Sequence, residues 1–352
     1  MSSTDDDDRS TSGIDKKPQC IAVVGATGRV GRRVVQKCMA RNIPVKAIVR
    51  SAKKAQELFG TSTSLQYPKL DVCVVDTHDT NNNNKALEDA IQASSHVISV
   101  VGVSRFSKWF DFLPWKFWRP GPWPRIKDDD LEQHPYFGNY IFQKELIRLA
   151  VKAKCQRFVR LTGLSNAYSA FHPISVLFNS LLSLANRYHI LCEQVLWEHK
   201  DELPFCILRP GGLRNDVRNV TSTHVQVASS GKLPLPSRIG RDDVAELCVQ
   251  ACIPTTTEQK ALLPSKASYI LACRWCSEEL TPTPQGTKDD GFATVQECYQ
   301  DLAALPAEET SPPFPRLKPY RVSVSLAVYT MAYVTYRLVR ALTSLTVKLI
   351  HG

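Results

Sequence analysis

Long hydrophobic runs are missing from this chain. The nearly uncharged stretch Val322 to Tyr336 has fifteen residues, short of the roughly 20 that an α-helix needs to cross a bilayer. Blocks of lysine and arginine are missing too. The 44 basic residues outnumber the 34 acidic ones, for a net charge of +10, but they are scattered and form no RNA-binding signature. Nucleic acid is therefore not an expected partner. Paired metal motifs are absent: Cys273-x-x-Cys276 has the spacing of half a zinc site, yet no second cysteine pair or histidine pair accompanies it. No metal is expected. An odd total of eleven cysteines at irregular positions, such as Cys38, Cys73, Cys155, Cys206 and Cys248 inside apolar segments, argues against a disulfide framework. Buried thiols in a reducing compartment fit better. Residues 1–18 lack an apolar core and carry four consecutive aspartates, so they read as a disordered acidic leader, not as a secretory signal or an arginine-rich transit peptide. That start points to the cytosol, with plastid and mitochondrion left open.

What the chain does have is a segment that organises the rest, Cys20 to Arg50, reading CIAVVGATGRVGRRVVQKCMARNIPVKAIVR. Ile21 to Val24 is a short β-branched run stopped by Gly25, the look of a buried parallel strand. Glycines follow at Gly25, Gly28 and Gly31. In that spacing the first allows a tight turn, the second lets backbone approach a pyrophosphate, and the third lets a helix lie against the strand. A helix over about 29–41 and a strand over 45–49 complete a βαβ unit. The loop Gly25, Ala26, Thr27, Gly28, Arg29, Val30 and Gly31 is therefore the predicted phosphate cradle at a helix N-terminus. The second strand ends in Arg50-Ser51, where an acidic residue would serve the ribose hydroxyls of NAD. Arginine suits a 2′-phosphate, so NADP is expected over NAD, with Arg29 and Arg32 as further contacts. The competing reading is three ordinary solvated arginines.

Downstream, strands and helices go on alternating. Asp71 to Asp76 reads as a third strand, and Asp76 either meets the adenine amino group or caps a turn. Val97 to Gly102 reads as the fourth, placing Val101 and Gly102 beside the dinucleotide. There follow a helix over 136–154, a strand Arg157 to Thr162, a helix over 174–199, and a strand Phe205 to Leu208 running into Arg209-Pro210-Gly211-Gly212. A helix from Arg241 and a last strand, Ser268 to Ala272, complete the series. The order predicts an α/β fold, a Rossmann-type doubly wound parallel sheet over residues 19–276.

Three segments stand outside that pattern. Residues 104–134, an insertion after the fourth strand, hold eight aromatic side chains, Trp109, Trp115, Trp118 and Trp123 among them, interleaved with Lys108, Lys116, Arg119 and Arg125. A lid, a lipid-headgroup contact and a satellite core all fit it. Residues 277–319, rich in proline, threonine and charge, read as mostly linker. Over 320–352, Arg337, Arg340, Ser344 and Lys348 recur opposite Leu338, Leu342, Leu345 and Leu349. That is an amphipathic helix for a membrane surface or a protein face.

The succession VVGATGRVG, the arginine after the second strand, Pro135-Tyr-x-x-Asn-Tyr140-x-x-x-Lys144-x-Leu146, RFVRLTGLS, ILRPGGL and IGRDDVAEL resembles the NmrA-like, atypical short-chain dehydrogenase/reductases over about Ile21 to Cys273. Within them it is most similar to the plant and algal NAD(P)-binding proteins represented by the redox-linked subunit of the chloroplast inner-envelope translocon. The resemblance implies a Rossmann fold, NADP(H) binding and peripheral membrane attachment. Catalytic members polarise a carbonyl with a tyrosine activated by a lysine one helical turn on, helped by a hydroxyl after the fifth strand. Tyr140 and Lys144 have that spacing but precede the fifth strand. Beyond it, Tyr188 is followed by Cys192 where the lysine belongs, and Thr162 keeps the hydroxyl while Gly163 replaces the next serine. Tyr140, Lys144, Thr162 and Tyr188 are thus the candidate catalytic residues. Lys144, Thr162 and the backbone of Pro210, Gly211 and Gly212 are expected to border the nicotinamide half. Two functions compete: an NADPH-dependent oxidoreductase of a small apolar or quinone-like substrate, and a catalytically weak NADP(H)-binding redox sensor or scaffold at a membrane or in a complex.

Overall fold

The structure is a computed structural model that describes residues 19–60, 69–75, 85–106, 134–168, 172–216, 223–228, 233, 237–253, 268–277, 292–293, 331, 335–337 and 339. The acidic leader, Asp76, most of the aromatic insertion, most of the linker and most of the C-terminal segment lie outside the described residues; within the expected linker, Phe292 and Ala293 form a short strand paired with Val225 and Gln226.

Strand β1 (Ile21–Val24) is buried at all four positions, as an apolar run must be when helices cover both faces of a parallel sheet. It leads into α1 (Gly31–Ala40), β2 (Val45–Val49), α2 (Ala52–Phe59), β3 (Leu70–Val74), α3 (Lys85–Gln92) and β4 (His96–Ser99). A π-helical turn (Tyr136–Ile141) opens α4 (Phe142–Lys152), followed by β5 (Arg157–Leu161), a 3-10 turn (Leu164–Ala167) and α5 (Pro173–Glu198). Then come β6 (Phe205–Pro210), β7 (Gly212–Arg214), β8 (Thr223–Ala228), β9 (Arg238–Gly240), α6 (Arg241–Cys252), β10 (Tyr269–Ser277) and β11 (Phe292–Ala293).

Among the described residues nine strands form one sheet in the order β11-β8-β10-β6-β5-β4-β1-β2-β3. The strands from β10 to β3 are parallel, and β8 and β11 add an antiparallel edge. This is the doubly wound α/β sheet that the alternation of elements predicts. Chain order reverses between β4 and β2 on either side of β1, the switch point where such sheets open a crevice. Register levels the strand ends there: Val24 pairs with Ile48 and Ser99, and Ser99 pairs with Arg160. Helices α1, α2 and α6 cover one face through Val34, Val35, Phe59, Val244 and Cys248. Helices α3, α4 and α5 cover the other through Leu87, Leu146, Ile147, Val195 and Leu196. Burial pushes the Cys38 and Cys206 thiols up to about 12, so both behave as small apolar core residues.

Several elements differ from the sequence expectation. The fourth strand stops at Ser99, and β6 runs on to Pro210. Strand β10 continues to Ser277 because its second half leaves β6 and pairs antiparallel with β8. Cys273 and Cys276 therefore sit three residues apart on an extended strand, pointing to opposite faces of the sheet. The long helix over 173–198 is broken at Leu182, whose φ of −134° and ψ of 38° are not helical. Among the described residues no helix is long and apolar enough to cross a membrane.

One consequence for stability sits at the amino end of β4. His96 is buried, with Nδ1 2.8 Å from the Ser95 hydroxyl. Burial, and then the charge of Arg157, push its pKa from 6.5 down to about 4. Between those values the unfolded chain holds a proton that the folded chain refuses, so stability falls as pH drops through that window. The gap corresponds to about 3 kcal/mol. Urea unfolding compared at pH 7 and pH 4.5 should show that loss, and His96→Gln should remove most of it.

Candidate functional site

The glycine loop is shaped by contacts a side chain would destroy. Gly25 has φ +84° and turns the chain so that its N–H donates to Ile48 O on β2 at 3.1 Å. A Cβ on Gly31 would lie 2.8 Å from the Gly25 carbonyl carbon and 2.9 Å from Ala26 Cα. The start of α1 is thus pressed against the turn, as the third glycine of the spacing requires. Gly28 faces outward and exposed, its N–H bonded to Gly25 O at 2.9 Å. The helical ladder begins with the Arg32 N–H bonded to Gly28 O at 3.0 Å. This leaves the N–H groups of Arg29, Val30 and Gly31 as the free donors of the first turn. No acidic residue occupies that turn, and an anion is the ligand it suits.

Ala26 and Val30 are buried and hold the loop from behind, while Thr27 is half-buried. Arg29 and Arg32 are exposed, and Arg33 donates to Arg29 O at 2.6 Å. Arg241, the first residue of α6, has its pKa lowered by burial and by the nearby charges of Arg29 and Arg33. The N-termini of α1 and α6 therefore share one positive field. At the end of β2, Arg50 is exposed, and Ser51 caps α2 by accepting from the Lys54 N–H at 3.3 Å. Lys53 and Lys54 follow, with no acid in the first turn of α2.

On the other side of β1 the segment after β4 is clamped from above. Buried Asn139, inside the π-helical turn, accepts from the Val103 N–H and donates to Val103 O, both at 2.8 Å. Buried Gln143 accepts from the Ser99 hydroxyl at 2.6 Å and donates to Gly138 O at 3.1 Å. Val101 is half-buried and Gly102 exposed; a Cβ on Gly102 would meet nothing within 4 Å, so open space faces this backbone.

Beneath lies a buried ionic cluster that the sequence quotes in its motifs but does not identify as such. Glu193 on α5 and Arg209 on β6 form an ion pair at 2.6 Å, with both side chains almost wholly out of solvent. The same carboxylate accepts from the Thr162 hydroxyl at 2.6 Å and from Asn166 at 3.4 Å. Arg160, fully buried, donates Nη1 to Val101 O at 2.6 Å and to Ser99 Oγ at 3.2 Å. Its Nη2 lies 3.2 Å from His189 Nδ1.

These contacts sort the candidate catalytic residues. The Thr162 proton is committed to Glu193, so Thr162 can accept a hydrogen bond from a ligand but has none to give. Tyr140 stacks on Tyr188, ring centroids 6.2 Å apart. Burial and the charges of Glu198 and Cys192 raise the Tyr140 pKa, the direction that opposes a phenolate. Lys144 is exposed on α4, and no described contact joins it to Tyr140. Tyr188 is buried among Tyr136, Tyr140 and His134. Cys192 lies beside Arg160, its thiol pushed up to about 11 chiefly by burial. At the end of β6, Pro210 is buried, and the Gly211 and Gly212 N–H groups are taken by Cys273 O and Ser237 O at 3.1 and 2.8 Å. That segment offers a ligand its surface and carbonyls, not these two donors.

A family model described as NAD(P)H-binding matches residues 25–253. The chain is 28% identical over 252 residues to the uncharacterised chloroplastic protein At2g34460 of Arabidopsis thaliana, covering 70% of this chain and 76% of that one. It is 25% identical over 315 residues to the chloroplastic protein TIC 62 of Oryza sativa subsp. japonica, covering 86% of this chain and 52% of that one. The chain thus spans about half the length of the TIC 62 proteins it matches. In fold it is similar to a solved Bacillus halodurans protein described as a "putative NAD-dependent epimerase/dehydratase", with a TM-score of 0.51, 17% identity, and coverage of 81% of this chain and 100% of that one.

Proposed function

Because the chain belongs to the NAD(P)H-binding family, we propose that its crevice takes NADPH in preference to NADH and passes hydride to a small apolar acceptor of the quinone type. The observation that carries this reading is the open cradle at Gly28, flanked by Arg29, with the exposed Arg50 at the end of the neighbouring strand β2. The pyrophosphate fits the free N–H groups at the start of α1. A 2′-phosphate fits Arg50 and the cationic, acid-free start of α2. When bound, the dinucleotide supplies the hydride; the protein's part is to hold it and to shape the space beyond Gly102.

The choice of acceptor follows from what the site does with its protons. Thr162 has its proton engaged, and the surroundings of Tyr140 oppose a phenolate. A ketone reduced without a proton donor would leave a strongly basic alkoxide. Hydride addition to a quinone gives a phenolate-type anion that takes its proton from water afterwards, so quinone, NADPH and one proton yield hydroquinone and NADP without a strong acid in the transition state. The purified chain should oxidise NADPH with menadione and leave simple aldehydes and ketones unreduced. Tight NADPH binding without oxidation by any acceptor would instead support the second reading, an NADP(H)-bound sensor or scaffold, which the same engaged Thr162 favours.

Arg50→Asp is expected to reduce the ratio of NADPH to NADH affinity at least tenfold, read by nicotinamide fluorescence. An unchanged ratio would remove Arg50 from the site. The names of the chloroplastic relatives favour a plastid for this chain too. Imaging of the full chain fused to a fluorescent protein decides that point.

A further inference from the structure

We infer that His189, locked by Arg160 in the tautomer that carries its proton on Nε2, is the neutral hydrogen-bond donor of the nicotinamide half of the crevice. It gives that bond to a neutral ligand oxygen, either a hydroxyl of the nicotinamide ribose or the carbonyl of the acceptor. This rests on the dinucleotide reading above.

The tautomer follows from the donor inventory. A guanidinium has only protons to offer, so Arg160 Nη2, 3.2 Å from His189 Nδ1, must donate, and Nδ1 must hold a lone pair. Its other bonds hold Arg160 in place: Nη1 donates to Val101 O, Ser99 Oγ and Ser99 O. No carboxylate among the described residues bonds to it, since Glu193, one turn along α5, is committed to Arg209, Thr162 and Asn166. The charge acting on the imidazole is thus Arg160 from β5; Cys192, on the helix of His189, and the Glu193 charge act on Arg160, and α4 presents the neutral Gln143 behind Ser99. Burial and the Arg160 charge push the His189 pKa down to about 3. The ring is neutral at any working pH, with its remaining proton on Nε2.

Position supplies the function. Arg160 is in register with Ser99 at the ends of β5 and β4, and the Val101 carbonyl that it grips precedes the open backbone of Gly102. With Arg50 marking the 2′-phosphate side at β2, the nicotinamide half falls on the β4 and β5 side of the switch point. His189 is partly exposed there, and its Nε2 has no partner among the described residues. Thr162 has its proton engaged and Tyr188 is buried in a ring cluster, whereas His189 keeps a donor to offer at this edge. A neutral imidazole donates to a carbonyl without a proton changing hands in the ground state, and does so equally at pH 8 and pH 5.

The test uses the full chain. Nitrogen-15 NMR of the cofactor-free protein should report His189 protonated on Nε2 only and unchanged from pH 8 to pH 5, and Arg160→Met should abolish that fixed state. His189→Leu should weaken NADPH binding at least tenfold if the ribose is the partner. It should leave NADPH binding intact but slow menadione reduction at least tenfold if the acceptor is. His189→Gln, which keeps a donor near Nε2, should stay within about threefold of wild type in both assays. A proton on Nδ1, an ordinary titration near pH 6.5, or a folded His189→Leu protein unchanged in both assays overturns the inference while the dinucleotide reading stands. Wild-type protein that binds no NADPH overturns both.

Discussion

Gly28→Val is expected to lower NADPH affinity at least a hundredfold in a protein that melts within a few degrees of wild type. A Cβ at this exposed position meets only the Gly25 carbonyl oxygen, at 3.1 Å, so the fold can absorb it with a shift of a few tenths of an ångström. The remaining methyl groups then occupy the space where a pyrophosphate would approach the first turn of α1. Gly31→Val is the contrasting control. There the Cβ falls on the backbone of Gly25 and Ala26, so the helix must leave the strand, and loss of folded protein is expected. Equilibrium dialysis with NADPH and thermal unfolding monitored by circular dichroism separate the two outcomes.

The second large effect concerns stability. Glu193→Ala should cost about 3–5 kcal/mol, the usual result of removing one member of a buried ion pair. Glu193 and Arg209 are both shielded from solvent, and the carboxylate is also the acceptor for Thr162 and Asn166. Its removal takes the carboxylate from a buried guanidinium and the acceptor from two side-chain donors. Against a total of about 5–15 kcal/mol for a typical domain, that loss should lower the denaturation midpoint sharply. Double replacement with Arg209→Met should recover part of it, because a neutral pair no longer leaves a buried charge. Urea denaturation of the single and double variants measures both quantities.

Much of the fold was legible because its signals are local. Ile21 to Val24 followed by three glycines at fixed spacing specifies strand, turn and helix start within eleven residues, Ile21 to Gly31, and the later strands repeat the alternation. What escaped needed tertiary context. Strand β8, THVQVA, alternates polar and apolar residues, but it pairs with β10 only because β10 extends past Cys273. Strands β7 and β9 have three residues each, too few to show a period. The π-helical turn at Tyr136–Ile141 leaves no mark in the sequence.

The site divides in the same way. The cradle from Gly25 to Gly31 was readable from spacing alone, whereas Arg160, His189, Glu193 and Arg209 were not singled out. Charged side chains are read as surface by default, and only the assembled fold reveals that these meet in the interior. One signal was available: Arg160 and Arg209 interrupt strands whose other residues are almost all apolar, RFVRL and FCILRP. A charge inside a strand buried on both faces needs partners, and Ser99, His189 and Glu193 supply them. The Tyr140 and Lys144 spacing pointed the other way, because i, i+4 neighbours share a face only in a regular α-helix, and Tyr140 sits in the wider π-helical turn.

Titration of the full-length chain with NADPH and with NADH, following nicotinamide fluorescence, tests the central claim most directly. The account predicts saturable binding of both with NADPH at least tenfold tighter, and competition by NADP. A folded protein that leaves the fluorescence of both nucleotides unchanged would contradict it.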